Sequence, residues 1–96
     1  MLVKRADVLR RLANLKPWLM SRGVTRLRVF GSHARDEATE LSDLDLMIDL
    51  DPPLGLEFFA LESEIGARLG LKVDLVTESA LAPDIRYTAL ADAIDA

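Results

Sequence analysis

Apolar residues recur at helical spacing in two long segments of the chain, residues 3–22 and residues 56–69. In each segment they stand three or four positions apart, which is typical of one buried helical face. These apolar positions are Val8, Leu12, Leu15 and Leu19 in the first segment, and Phe58, Leu61, Ile65 and Leu69 in the second. Gly23 and Gly70 follow the two segments and are suited to ending helices. Pro17 interrupts the first segment and predicts a kink or a restart of the helix there.

Alternation with a period of two predicts strands at residues 25–30 and 43–51. The first strand is expected to place Leu27 and Val29 on one face, with Arg26 and Arg28 on the other. In the second, leucine and isoleucine occupy one face. The opposite face carries Asp43, Asp45, Met47, Asp49 and Asp51. Because an unpaired buried charge is costly, we expect that aspartate face to be open to water or to cations.

The remaining segments complete a helix, strand, strand, helix, strand, helix order. We predict a short helix at residues 33–36, a loop at 37–41, a third strand at 72–77 and a final helix at 83–93. Ile85, Leu90 and Ile94 are the candidate packing residues of the final helix. This order predicts an α/β (α+β) fold with a small mixed β-sheet flanked by helices. The length fits a single domain spanning residues 1–96.

Charge is unevenly distributed along a chain whose net charge is −4. Up to residue 36 there are nine Lys and Arg against two acids, and afterwards three against fourteen. The basic part can serve an anionic ligand, while the overall acidity argues against a nucleic-acid partner. The absence of cysteine excludes disulfides. We find no signal peptide and no apolar stretch of membrane-spanning length, so we expect a cytoplasmic protein without a membrane partner.

Two carboxylates in an apolar run carry the strongest chemical signal. Asp43 and Asp45 are two positions apart on one strand face, which places their α-carbons roughly 6.5–7 Å apart. Asp74 is the only acid within the third strand pattern. Three such carboxylates can hold one or two hard divalent cations, and a metal pair can support in-line phosphoryl displacement. A calcium loop is excluded, because Met47 stands where a ligand is needed and the required glycine is missing.

Small residues before the aspartates suggest a phosphate site. Gly31 permits close approach of a phosphate, and Ser32 offers a hydroxyl and a backbone N–H. Arg35 is a candidate charge-assisted donor. Five other residues are expected to have no chemical role. We expect His33 to face solvent, Asp49 and Asp51 to be solvated strand-end charges, and Trp18 and Tyr87 to serve packing or an interface.

The motif resembles a known enzyme superfamily. Gly31-Ser32, ten further residues and then Asp43-Leu44-Asp45 resemble the signature of polymerase-β-like nucleotidyltransferases. Residues 30–35 and 42–46 are more closely similar to the minimal nucleotidyltransferases, including the MntA-type antitoxins of HEPN/MNT pairs. The resemblance implies Mg²⁺, as two ions, held by Asp43, Asp45 and Asp74. It also implies ATP as nucleotide donor, bound by Gly31, Ser32, Arg35 and Ser42.

Three functions remain open at this stage. The resemblance implies transfer of AMP from ATP to a tyrosine of a HEPN-type ribonuclease toxin, with the chain acting as antitoxin in a hetero-oligomer. The alternative is a non-catalytic or weakly catalytic antitoxin that neutralises its toxin by binding. Nucleotidylation of a small molecule is less favoured, since such enzymes use extra domains to form the acceptor pocket. One departure is that Arg35 is followed by Asp36, where many relatives carry glycine.

Overall fold

Helices and strands alternate through most of the chain. The computed structural model describes residues 4–52 and 55–96. The elements are α1 (Arg5–Ser21), β1 (Val24–Phe30), α2 (Gly31–Ala34), β2 (Leu44–Leu50), α3 (Glu57–Leu69), β3 (Val73–Val76), a 3-10 turn (Glu78–Ala80), α4 (Pro83–Asp92) and β4 (Ile94–Asp95). Within the described residues, no helix is long and apolar enough to cross a membrane.

The strands form one mixed sheet in the order β3-β2-β1-β4. β1 is antiparallel to β2 and to β4, whereas β2 and β3 are parallel. A parallel pair needs a crossover connection, and α3 supplies it. The predicted fold class, a small mixed sheet flanked by helices, is therefore confirmed.

The larger core lies between one face of the sheet and helices α1 and α3. The predicted stripes are largely correct, since the side chains of Val8, Leu12 and Leu19 are buried in α1. Leu61, Ile65 and Leu69 are buried in α3 in the same way. They pack on the apolar faces of β1, β2 and β3, where Leu44, Leu46 and Ile48 are fully buried. Burying this continuous apolar surface is the main stabilising contribution to the fold.

The opposite face of the sheet carries a smaller core, which corrects the prediction of an open aspartate face. Met47 is fully buried in a cluster with Phe30 and with Ala89 of α4. Helix α4 thus covers the middle of that face and separates Asp45, which is half-buried, from Asp49. The error arose because the pattern of β2 alone gives no indication of a helix that comes some forty residues later.

The C-terminal segment differs most from the prediction. Helix α4 ends at Asp92, and Ala93 adopts extended backbone, so Ile94 and Asp95 continue as strand β4 against β1. Ile94 does pack against the larger core, but from a strand. The prediction was wrong for Ile85 and Leu90, which are 54% and 37% exposed. A final helix so weakly amphipathic gives no clear apolar face from which packing residues could be chosen.

Element ends shift by a few residues relative to the predictions. α1 includes Pro17 and begins at Arg5, while the predicted start at Val3 lies outside the described residues. α2 begins at Gly31 instead of His33, and β3 is confined to Val73–Val76. β2 begins at Leu44, so Asp43 immediately precedes the strand.

Candidate active site

Asp45 and Asp74 are directly paired across two parallel strands. The register aligns Asp45 of β2 with Asp74 of β3, and Leu46 with Leu75. Neighbouring strands lie about 4.8 Å apart, so the two carboxylates are close on the same face of the sheet. Asp43 precedes β2 and adds a third acid at this edge. The backbone therefore brings together the three aspartates that the sequence singled out.

The electrostatics of Asp45 reflect this crowding. Burial, together with the negative charges of Asp74 and Asp43, raises the pKa of the Asp45 carboxyl from its ordinary 3.8 to about 6. Arg35 acts in the opposite direction, because its positive charge favours the ionised carboxylate. A site in which carboxylates repel one another is stabilised when a cation enters it.

Gly31 is in close contact with the Asp45 carboxylate. Gly31 has a φ of +71°, and a Cβ built on it would lie 2.2 Å from Asp45 Oδ2. A side chain there would require the Asp45 carboxylate to shift, and an L-residue would also be strained at that φ. The end of β1 and the start of β2 are thus held close together at the point where the acids gather.

The donor set suits a divalent cation, although the side chains are not yet arranged around one. Three carboxylates are the hard oxygen ligands that Mg²⁺ prefers. Among the described residues, however, no group of three or more His, Cys, Asp or Glu side chains is arranged so that it could hold a metal ion. Asp43 Oδ2 instead lies 3.9 Å from the Lys72 ammonium. Enclosing an ion would require rotation of these side chains on backbone positions that are already adjacent.

Ser32 and Ser42 occupy different local environments. Ser32 follows Gly31 in α2, and its carbonyl oxygen accepts the Glu37 N–H at 2.9 Å. Ser42 Oγ accepts the Thr39 N–H at 2.9 Å, so its hydroxyl closes the turn that leads into Asp43. Ser32 thus follows the glycine that contacts Asp45, whereas Ser42 makes a contact within its own loop.

Arg35 is held by two carboxylates near the site. Its Nε donates to Glu37 at 3.1 Å, and its Nη1 donates to Asp92 at 2.5 Å. These hydrogen bonds raise the pKa of the Arg35 guanidinium. Asp92 is the last residue of α4 and lies 57 positions further along the chain. Sequence analysis could not identify this partner, because nothing in the pattern of α4 links it to the motif.

His33 is buried, contrary to the prediction that it faces solvent. Only 4% of the residue is exposed, and Nδ1 has no hydrogen-bond partner within the described residues. Burial lowers the pKa of the imidazole, while a hydrogen bond with the Ser42 backbone acts in the opposite direction. His33 therefore contributes to holding the segment before Asp43 against α2. Its position inside a four-residue helix that packs on the sheet explains the error, since so short a helix shows no periodicity.

Asp49 is also more than a solvated charge. Its Oδ1 lies 3.6 Å from Nη2 of Arg28, whose side chain is 7% exposed. Arg28 was expected on the face of β1 opposite Leu27 and Val29, and the structure buries that face at Arg28. Asp51 is exposed, as predicted.

Asp36 follows Arg35 in a left-handed backbone conformation. Its φ is +59°, a left-handed conformation that glycine adopts freely and that Asp and Asn tolerate better than most residues. Asp36 Oδ1 also accepts the Arg5 N–H at 3.0 Å. The carboxylate thus caps the start of α1, which explains an acid at this turn.

Comparison with known proteins places the chain in a family. A nucleotidyltransferase domain model matches residues 8–96. Protein adenylyltransferase MntA of Thermococcus cleftensis is 44% identical over 73 residues, covering 75% of this chain and 74% of that protein.

Solved structures share the fold. One provisionally described as a minimal nucleotidyltransferase is 35% identical, has a TM-score of 0.80 and covers 96% of this chain and 95% of its own. A crystal structure described as a toxin–antitoxin with AMP-PNP has a TM-score of 0.68 at 16% identity, covering 97% of this chain and 72% of its own. The chain therefore belongs to the nucleotidyltransferase family and is a nucleotidyltransferase of the minimal type.

Proposed function

We propose that this chain transfers AMP from ATP to a tyrosine hydroxyl of a HEPN-type toxin and thereby acts as its antitoxin. The observation that carries the proposal is the pairing of Asp45 with Asp74, with Asp43 and Gly31 beside them. Two kinds of relative support it. One is named a protein adenylyltransferase, and a fold neighbour is a toxin–antitoxin solved with an ATP analogue.

Asp43, Asp45 and Asp74 would hold magnesium, which when bound supplies positive charge against the phosphates. In the reaction, the acceptor oxygen bonds to the α-phosphorus, the bond to the pyrophosphate oxygen breaks, and the acceptor proton goes to a carboxylate. Asp74 is suited to accept that proton, because it is the exposed member of the pair. The absence of a side chain at Gly31 lets its backbone approach the Asp45 carboxylate. Arg35 retains N–H donors for the phosphates beyond those bound to Glu37 and Asp92.

The central experiment measures transfer of label from ATP to the acceptor. The pure chain is incubated with magnesium, α-labelled ATP and a cognate HEPN-type protein, and the labelled residue is identified by mass spectrometry. We expect labelled tyrosine with the wild type and none with the Asp43→Ala/Asp45→Ala variant. Asp84→Ala, which removes an exposed aspartate of α4, is the control and should label normally. Undiminished labelling by the double variant would overturn the proposal.

A second candidate function is neutralisation by binding alone. It is favoured by the large exposed apolar side chains of Leu41, Leu56 and Tyr87, which are available for contact with another protein. The two functions separate in cells that express the toxin. If a variant with all three aspartates replaced by alanine still protects, binding suffices. If it forms the complex but fails to protect, the catalytic function stands.

A further inference from the structure

A cleft of about 510 Å³ opens where β2 extends beyond β3. β3 pairs with Leu44 to Met47 of β2 only, and the chain then turns into the 3-10 turn. The rest of β2 borders the cleft. The lining residues are Ile48, Asp49, Leu50, Phe58, Thr77, Glu78, Ser79 and Arg86. This volume is within the range of ligand-binding cavities.

Two guanidinium groups have hydrogen-bond donors without a partner among the described residues: Arg86, which lines the cleft, and Arg28, which lies behind its lining residues Asp49 and Glu78. Arg28 is 5% exposed, and its Nη2 lies 3.6 Å from Asp49 and 3.5 Å from Glu78. Within the described residues, neither Nη2 nor Nε of Arg28 makes a hydrogen bond. Arg86 lines the cleft and donates from Nη2 to the Leu81 carbonyl at 3.1 Å, but its buried Nε has no partner there. Unfilled buried donors are costly, so an acceptor entering this region would be favoured.

The charges of the cleft indicate which acceptor it would take. The positive charges of Arg28 and Arg86 are matched by the negative charges of Asp49 and Glu78, so the cleft has no net charge for a phosphate to neutralise. Neutral acceptors such as peptide carbonyls suit it better. The stretch of β2 beyond β3 also presents a strand edge, to which extended peptides add through main-chain hydrogen bonds.

Apolar surface continues from the cleft onto the start of α3. Phe58 forms part of the cleft wall, while its neighbours Leu56 and Phe59 are 84% and 65% exposed. Large exposed apolar side chains next to a cavity are a common feature of protein-binding surfaces. They would accommodate the apolar side chains of a bound segment.

We propose that this cleft binds an extended segment of the protein whose hydroxyl is modified at Asp43, Asp45 and Asp74, an inference that rests on the proposed function. Asp49 is four residues beyond Asp45 on β2, which corresponds to about 13 Å along the strand. Because α4 covers the face of β2 between Asp45 and Asp49, a segment anchored in the cleft would reach the aspartates by passing over β3, where Asp74 is exposed. The cleft fixes which stretch of the acceptor reaches the site, and so contributes specificity.

The test replaces an exposed residue of the cleft lining with a large side chain that blocks the cleft. Ser79→Trp places an indole at the lining of the cleft, and Ala80→Trp adds the same group one position away on the same 3-10 turn, outside the lining set. Transfer rates are measured with a HEPN-type acceptor at saturating ATP, and then with varied ATP. We expect Ser79→Trp to raise the KM for the acceptor about tenfold, the effect of losing one strong interface contact. Its KM for ATP, and both constants of Ala80→Trp, should stay within about twofold of wild type.

A second variant and a binding measurement complete the test. Arg86→Met removes the donors but keeps the aliphatic stem, and should raise the acceptor KM in the same direction. Calorimetry of the chain mixed with the acceptor, without nucleotide, measures the affinity for the acceptor independently of catalysis. If no variant transfers AMP, the proposed function fails, yet weaker acceptor binding by Ser79→Trp would still support the cleft. Unchanged acceptor binding, or a rise in the KM for ATP alone, would overturn the inference.

Discussion

The Asp45 carboxylate occupies the space that a side chain at position 31 would need, so any residue other than glycine there must displace that carboxylate. A Cβ at Gly31 would lie 2.2 Å from Asp45 Oδ2. Gly70 offers a matched comparison, because its φ of +69° is nearly the same and nothing lies within 4 Å of a Cβ built there.

Gly31→Ala should therefore cost more than backbone strain. We expect Gly70→Ala to lower the free energy of unfolding by about 1 kcal/mol, the cost of a left-handed L-residue, and to leave activity unchanged. Gly31→Ala should lose a further ~1–3 kcal/mol and at least about 100-fold in kcat/KM, since Asp45 must move. Chemical denaturation and AMP-transfer rates measure the two effects. Equal losses of activity in the two variants would contradict the crowding argument.

The raised pKa of Asp45 predicts a pH-dependent stability in the metal-free protein. Because the pKa in the folded state is about 6, above the ordinary 3.8, the folded state holds the proton more tightly. The stabilisation that comes from protonated Asp45 is present at low pH and is lost as the pH rises through about 6. Asp45→Asn removes this loss and should be more stable than wild type by about 1 kcal/mol near neutral pH, allowing for solvent screening.

The advantage of Asp45→Asn should shrink toward about pH 4, where wild-type Asp45 is protonated in the folded state. Urea denaturation in a chelator, repeated across this pH range, measures it. Asp84→Asn on α4 serves as the control and should show no such pH-dependent gain. An advantage for Asp45→Asn that is equal at both ends of the range would show that carboxylate repulsion is not the cause.

Asp92 should matter for nucleotide binding through Arg35. Asp92→Asn loosens the guanidinium, so we expect the KM for ATP to rise about twofold to fivefold, with kcat changed less. Asp95→Asn is the matched control, because Asp95 forms a similar exposed ion pair with Arg26 at 2.9 Å. That variant should leave the KM for ATP unchanged. A lower KM in Asp92→Asn would show instead that Asp92 competes with the nucleotide for Arg35.

Asp36 is predicted to stabilise the fold by capping α1 and by tolerating a positive φ, and substitutions can separate these two effects. Asp36→Ala loses the cap on α1 and places alanine at a positive φ, so the free energy of unfolding should fall by about 1–2 kcal/mol. Asp36→Asn keeps an oxygen acceptor and tolerates the conformation, and should lie within about 0.5 kcal/mol of wild type. Asp36→Gly, which loses the cap but relieves the backbone, should fall between them. Thermal or urea denaturation gives the order of the three variants.

The sequence sufficed for the features that depend on local periodicity and on the motif. The helical spacing of Val8, Leu12 and Leu19 predicted the face of α1 that is buried. The alternation in β2 placed Asp45 within the strand, as the structure has it, although Asp43 lies just before the strand. The single acid in the third strand pattern is the residue aligned with Asp45. Each of these conclusions needed only a few consecutive residues.

The errors concern contacts between segments that are distant in sequence. Met47 is buried by a helix from the far end of the chain, and Arg35 is held by a carboxylate on that same helix. His33 is buried because α2 packs against the sheet, and Ile94 joins a strand because β1 offers an edge. Periodicity within one segment does not contain such information, since the partner determines the environment.

The parallel register of β2 and β3 determines both which side chains enter the core and which carboxylates meet at the active site. Side chains alternate along a strand, so Asp74 faces the aspartates only while Leu75, which is 3% exposed, faces the larger core. A slip of one residue would turn Leu75 toward water and Asp74 into the apolar layer. Any sequence change that lets β3 slide must therefore lose packing and chemistry at once, and selection for a stable sheet alone would keep the three carboxylates aligned.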